Sequence, residues 1–168
     1  AEGIFNGQLP PGNIVACHTS GTTGGGLSFW ETREAEQERW AVWWRFRRQF
    51  QIDRSLWCGY FGGRSIVPLG QQAPPFWRFN LPGRQLLFSG YHLRLDTAGA
   101  YLNKLRSSRV PWIHGYPSQI ALLAAWQTAL DLAPIPSVRI VTTGAENLLT
   151  SQRNAIQNAF AAPVHQHY

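Results

Sequence analysis

From Gln85 to the end of the chain, short apolar runs and helical stretches take turns, and this alternation constrains the fold more than any other feature. Gln85 to Ser89, Trp112 to Gly115, Val138 to Thr142 and Val164 to His167 each read as a strand. Between them lie three helices: one capped by Asp96 and running to about Ser107, one from Ser118 to Leu132, and one capped by Thr150 and running through Phe160. Pro117 suits the first turn of the second helix, where a missing amide proton costs nothing. Strands joined by helices run parallel, because each helix carries the chain back to the end of the sheet from which the previous strand started. The expected class is therefore α/β, layered α/β/α with mostly parallel strands.

The first half is less regular. Ile14 to Cys17 and Leu27 to Trp30 read as strands, as do Ser55 to Tyr60 and Ser65 to Leu69 on either side of a Gly62-Gly63 break, while Gly70 to Arg84 reads as a proline-rich loop. Thr32 offers an N-cap oxygen to a helix with Glu34, Glu36 and Glu38 early and Arg45, Arg47 and Arg48 late, the order the helix dipole favours. Ala35, Val42, Trp43, Phe46 and Phe50 recur at helical spacing and are expected to form its buried stripe.

Composition narrows the function classes. The 168 residues carry a net charge of +6, and Lys104 is the single lysine among fifteen basic residues. Arginine grips phosphate or carboxylate with a planar fork, so the charge fits nucleic acid, a nucleotide or an acidic partner. The basic residues are scattered apart from Arg45, Arg47 and Arg48, whose aromatic neighbours are explained by a core-facing helix. No nucleic-acid partner is expected. Two cysteines, Cys17 and Cys58, make no disulfide framework and, with His18, lack the close pairing of a zinc site, so no structural metal is assigned. No apolar run reaches the roughly 20 residues of a bilayer span. A cytoplasmic location without membrane contact is the expectation. The chain starts at Ala1, contains no methionine and stops at Tyr168 after an apparent strand, so both ends read as cut.

One stretch asks for a ligand. HTSGTTGGG, His18 to Gly26, joins the first two strands with four glycines, three threonines and a serine. Gly21, Gly24, Gly25 and Gly26 allow a close backbone approach that a Cβ would forbid, and Thr19, Ser20, Thr22 and Thr23 add hydroxyl donors. The pattern suits phosphate oxygens, although it lacks the lysine of a GxxxxGK loop. A flexible hairpin turn is the plainer alternative.

TSGTTG, Thr19 to Gly24, resembles the phosphate-loop signature of the adenylate-forming superfamily, which includes acyl-CoA ligases, peptide-synthetase adenylation domains and luciferases. With His18 in front, it looks closest to the phenylacetate-CoA ligase and CapK-like branch, whose members also occur in polysaccharide gene clusters. Three later segments agree in order. HGYPS, His114 to Ser118, is similar to the strand-to-helix junction that lines the acyl pocket in relatives. TTGAE, Thr142 to Glu146, resembles the turn that lies along the adenine. Tyr168 falls where a YGxTE motif would begin, its tyrosine packing on the adenine ring.

The resemblance implies that residues 1–168 are a single incomplete adenylation domain, part of the N-terminal domain of such an enzyme, with the C-terminal domain absent. It implies a carboxylic acid activated by ATP as an acyl-adenylate and then transferred to a thiol, usually coenzyme A. Nucleotide would contact Thr19, Ser20, Gly21, Thr22, Thr23, Gly24, Gly144, Ala145, Glu146 and Tyr168. The acid would be lined by Tyr60, Phe61, His114, Gly115, Tyr116 and Pro117, with Gly62 beside them. Mg²⁺ is expected on a glutamate beyond Tyr168, and no catalytic side chain is assigned. Relatives often place a Lys-Pro pair where Gly25 and Gly26 stand, so a phosphate contact is lost. A non-catalytic nucleotide-binding module serving polysaccharide biosynthesis is the alternative. His18 and His114 either meet the substrate or hydrogen-bond the backbone, Tyr60 and Phe61 are either pocket floor or core, and Glu146 is either an adenine neighbour or a helix-end carboxylate. Tyr91 and His92 are weaker candidates.

Overall fold

The computed structural model describes residues 14–18 and 28–167, which fall into two compact units, Ala1–Gln51 and Ile52–Tyr168. In the first, β1 (Ile14–His18) pairs antiparallel with β2 (Ser28–Thr32), so residues 19–27 connect the two strands of a hairpin, as the sequence suggested. Helix α1 (Arg33–Arg48) follows at once, and the Thr32 hydroxyl accepts the Ala35 amide at 3.1 Å, which satisfies one of the first-turn donors. Its apolar residues do not form the expected buried stripe. Ala35 and Val42 are exposed, Trp43, Phe46 and Phe50 are half-buried, and the buried residue of α1 is Arg47, whose guanidinium lies 5.1 and 4.8 Å from the ring centroids of Trp43 and Trp44. Periodicity predicted the right helix and the wrong lining. The two strands and one helix among the described residues of this unit offer too little surface to close a dry layer by themselves.

The second unit holds the sheet. Its elements are β3 (Cys58–Gly62), β4 (Trp77–Asn80), β5 (Gln85–Ser89), α2 (Leu95–Ser108), β6 (Trp112–Gly115), α3 (Pro117–Ala129), β7 (Ile140–Thr143), α4 (Thr150–Phe160) and β8 (Val164–Gln166). They are arranged in the order β4-β5-β3-β6-β7-β8, parallel throughout except for β4. The α/β class with mostly parallel strands is thus what the chain adopts. Every helical crossover steps toward β8, and right-handed crossovers of that kind place α2, α3 and α4 on one face. The core bears this out: Phe61, Leu86, Phe88, Ile113, Val141 and Val164, all from one side of the strands, form a single cluster with residues of these helices, Leu105, Leu123 and Phe160 among them. Each wholly buried Leu, Ile or Phe in it contributes roughly 1.5–3 kcal/mol.

Three expectations shift. Ser65 to Leu69 is not a strand; the missing strand is β4, inside the proline-rich stretch, and it pairs antiparallel with β5 through the Leu81–Arg84 turn. Asp96 does not cap α2: Arg94 is the cap residue, its amide donates to Thr97 Oγ1 at 3.0 Å, and Asp96 pairs with the Arg94 side chain at 3.0 Å. The start of α4 moves by one residue, with Leu149 as cap and its amide held by Gln152 Oε1 at 3.0 Å. Among the described residues no helix is long and apolar enough to cross a membrane.

Candidate functional site

The carboxyl ends of β3, β5, β6, β7 and β8 finish in line. Gly62 lies opposite Ser89, Phe61 opposite Gly115, Gly115 opposite Thr143, and Thr143 opposite Gln166. From β3 the next parallel strand, β5, lies to one side and the one after it, β6, to the other. Such a reversal opens a crevice just beyond the strand ends, where sheets of this kind take their ligands. HGYPS and TTGAE both end their strands on this rim, beside β3 and one strand further on.

Backbone bonds carry the ladder one step past each strand. The Tyr116 amide donates to Phe61 O at 2.9 Å, the Gly144 amide to Gly115 O at 3.2 Å, and the His167 amide to Thr143 O at 2.8 Å. Gly115 is required by this closeness, since a Cβ there would stand 1.9 Å from the Phe61 carbonyl oxygen. At Gly63 a Cβ would stand 2.9 Å from the Tyr116 hydroxyl, the movable end of a side chain. Tyr91, on the turn after β5, reaches the same place and donates to Gly63 O at 3.4 Å.

Glu146 ties the two motifs together. Its Oε2 accepts the Ser118 amide at 3.2 Å, placing the carboxylate on the N-terminus of α3, where both the orphan amide and the helix dipole favour it. That is the helix-end role, and Gln166 Nε2 donates to its carbonyl at 3.5 Å from the next strand. Ala145, exposed, takes φ +67°, a left-handed conformation unusual for a residue with a Cβ. Thr143 Oγ1 is wholly buried and makes no hydrogen bond among the described residues.

The face of the sheet away from the helices is polar and aromatic beside this rim. Trp112 Nε1 donates to Thr142 Oγ1 at 2.8 Å, and His114 Nδ1 lies 2.8 Å from the same oxygen and 3.1 Å from Thr142 O. The Tyr60 ring stands 5.9 Å from His114, and Trp112 5.8 Å from it on the neighbouring side. Tyr60 is half-buried; Trp112, His114 and Thr142 are buried.

Phe61, expected in the pocket floor, is instead a core side chain: it is 0% exposed and stacked on Phe88 at 4.6 Å, so the rim receives only its carbonyl. Strict alternation along β3 explains this, because Tyr60 and Phe61 must take opposite faces. Pro117 is buried in the first turn of α3, and Tyr116 is half-buried above Gly63. His92 is structural: its Nδ1 pairs with the Ser89 hydroxyl at 2.8 Å, its Nε2 with Leu69 O at 3.2 Å, and its ring stacks on Phe76. Sequence reasoning missed Thr143 as a site residue and undervalued Tyr91. Its place just past the end of the strand Gln85–Ser89 was the available signal for Tyr91. Thr19, Ser20, Gly21, Thr22, Thr23, Gly24 and Tyr168 lie outside the described residues, as does the side chain of His18.

Cys17, next to the glycine-rich stretch, is no activated nucleophile. Desolvation pushes its thiol up, and Glu31, which accepts from Sγ at 3.5 Å and pairs with Arg39 at 2.6 Å, pushes the same way. Among the described residues no group of three His, Cys, Asp or Glu side chains is gathered for a metal ion.

No protein-family model matches the chain. It is 28% identical over 159 residues to Protein CapK of Staphylococcus aureus, covering 92% of this chain and 34% of that protein. The chain therefore spans about a third of the relative's length. A solved 2-hydroxyisobutyryl-CoA ligase, in an open conformation with 2-HIB-AMP and CoA, matches 51% of this chain and 19% of its own at 16% identity and a TM-score of 0.39. Over nearly its whole length, this chain is a distant homologue of CapK.

Proposed function

We propose that the chain carries the nucleotide-binding rim of an enzyme that activates a carboxylic acid with ATP as an acyl-adenylate and passes the acyl group to a thiol such as coenzyme A. The observation that carries this reading is the meeting of two sequence-distant motifs, HGYPS and TTGAE, at the carboxyl end of one parallel sheet, fastened by the Glu146–Ser118 bond.

The residues present fit an adenosine. Ala145 is exposed in a strained turn, and beside it Thr143 keeps a buried hydroxyl that makes no hydrogen bond among the described residues. Gly144 to Glu146 would lie along the adenine and Thr19 to Gly24 would cradle the phosphates, with Tyr168 against the base. Bound ATP supplies an electrophilic phosphorus and a pyrophosphate leaving group. The protein's task is to hold donors where charge grows as pyrophosphate departs, which backbone amides and threonine hydroxyls do without reorganising. The acid needs no general base, since a carboxylate is already nucleophilic. Tyr60, His114 and Tyr116, grouped near Gly62 and Gly63, would face the acid.

The decisive experiment is ATP–pyrophosphate exchange by the full-length polypeptide against a panel of aryl and acyl acids. Exchange with at least one acid is expected. Folded protein that binds ATP yet exchanges with none would favour a non-catalytic nucleotide-binding module, the reading that Gly25 and Gly26 encourage.

A further inference from the structure

We infer that Tyr91 is the gate of the crevice, a ring hinged on a fixed turn and latched to the Gly63 carbonyl, whose closed position limits the length of the acid that the site accepts; the acid rests on the proposed function, the hinge and the latch do not.

The root of the ring is firmly held. Tyr91 is the middle residue of the single turn Gly90–His92, between β5 and α2. The next residue, His92, is 5% exposed and uses both ring nitrogens: Leu69 O, 3.2 Å from Nε2, can only accept, so Nε2 carries the proton and Nδ1 takes the Ser89 hydroxyl at 2.8 Å. Its ring stacks on Phe76 at 5.0 Å, and its carbonyl accepts the Thr97 hydroxyl at 2.6 Å. The residue before, Gly90, backs onto α3 so closely that a Cβ there would stand 2.4 Å from Gln119 Nε2. Moving the turn would leave several buried polar groups unpaired at once, so it keeps its place.

The tip of the same ring is held by little. Tyr91 is 61% exposed, and among the described residues its hydroxyl makes one hydrogen bond, to Gly63 O at 3.4 Å, well beyond the roughly 2.8 Å of a strong O–H···O contact. A firm root with a weak tip lets the side chain swing: rotation about its Cα–Cβ bond breaks that contact alone, and no backbone has to move.

The resting place of the tip gives the swing its effect. Gly63 follows β3, the strand from which the sheet turns both ways, and it is flanked from β5 by Tyr91 and from β6 by Tyr116, whose hydroxyl would stand 2.9 Å from a Cβ at Gly63. The two phenol rings converge on one glycine from opposite sides of the crevice. They are not equally free. Tyr116 is half-buried, with its amide on Phe61 O, whereas Tyr91 is exposed. With Tyr91 latched, an acyl chain entering between the rings stops at Gly63; with Tyr91 swung out, the β5 side is open to a longer one.

The test separates latch from gate. On the chain, the Gly63 carbonyl ¹³C resonance is compared between the parent and Y91F, which keeps the ring and loses the hydroxyl. It should shift in Y91F while the His92 ring ¹⁵N resonances, in the Nε2–H pattern, stay in place. An unmoved Gly63 carbonyl overturns the latch, and a His92 ring that shifts with it, or shows the Nδ1–H pattern, overturns the fixed turn. In the full-length polypeptide, ATP–pyrophosphate exchange is measured over homologous straight-chain and ω-aryl acids of increasing length with the parent, Y91F and Y91A. Y91A should raise kcat/KM for the longest acid relative to the shortest by about tenfold, Y91F by about threefold, and KM for ATP should stay within about twofold in both. An unchanged length preference in Y91A overturns the gate, as does a change confined to KM for ATP. Absence of exchange in the parent overturns the proposed function, while the Gly63 and His92 spectra still decide the latch and the turn.

Discussion

The two faces of the six-stranded sheet are built from alternate residues of the same strands, and their chemistry is opposite. Toward the helices stand Phe61, Leu86, Phe88, Ile113, Val141 and Val164, an apolar surface closed by α2, α3 and α4. Away from them stand Tyr60, Trp112, His114 and Thr142, joined by hydrogen bonds and ring contacts, with His165 opposite Thr142 on β8. Folding dictates the first set, because parallel strands must bury a face against their crossover helices. The second set faces away from those helices, with Trp112, His114 and Thr142 buried as well, and the residues that resemble a ligand site belong to it or to the rim it shares.

The contrast can be broken most severely at the point where the two faces meet. Gly115→Ala would drive a Cβ into the Phe61 carbonyl, backbone against backbone, and should cost on the order of 3 kcal/mol or more, read as a collapse of the denaturant midpoint. Leu105→Ala, on the helix side, should destabilise by about 2–5 kcal/mol, since Leu105 is wholly buried in the core cluster. Glu146→Ala should cost only about 1 kcal/mol in urea unfolding, but it frees HGYPS from TTGAE and should weaken ATP binding, measured by calorimetry, by more than that stability loss suggests. An unchanged ATP affinity would separate the tie from the site. Gly99→Ala runs the other way: Gly99 lies inside α2 with open space around it, and the variant should be more stable by about 0.5–1 kcal/mol. The smallest effect belongs to His165, whose pKa is lowered first by burial and then by Arg153. A depressed histidine pKa means the unfolded chain binds the proton more readily. Stability should therefore be full above about pH 6.5 and decline as the pH falls through the folded value, and His165→Gln should flatten that slope.

How much of this was legible depends on which layer a residue answers to. Strands β5 to β8 and helices α2 to α4 could be read almost residue by residue, because each obeys the period of a sheet packed under crossover helices. Helix α1 was legible as a helix and illegible as a surface, since its spacing promised a buried stripe where the structure buries Arg47 between tryptophans. Strand β4 hid in WRFN, Trp77 to Asn80, whose alternation was masked by neighbouring prolines. At the site, HGYPS and TTGAE were visible as words, but nothing in either word reveals that Glu146 closes the distance between them, because that bond spans 28 positions. Phe61 was misplaced by naming a pair of neighbours where a strand permits only one of them to face the rim.

The most direct measurement is an amide chemical-shift titration of the chain with AMP and with ATP. Shifts should concentrate at Gly115 to Ser118 and Gly144 to Glu146, beyond the carboxyl ends of β6 and β7, while the Leu81–Arg84 turn at the opposite end of the sheet stays still. Saturable shifts at that far turn, or none at either motif with nucleotide in millimolar excess, would contradict a nucleotide site on this rim.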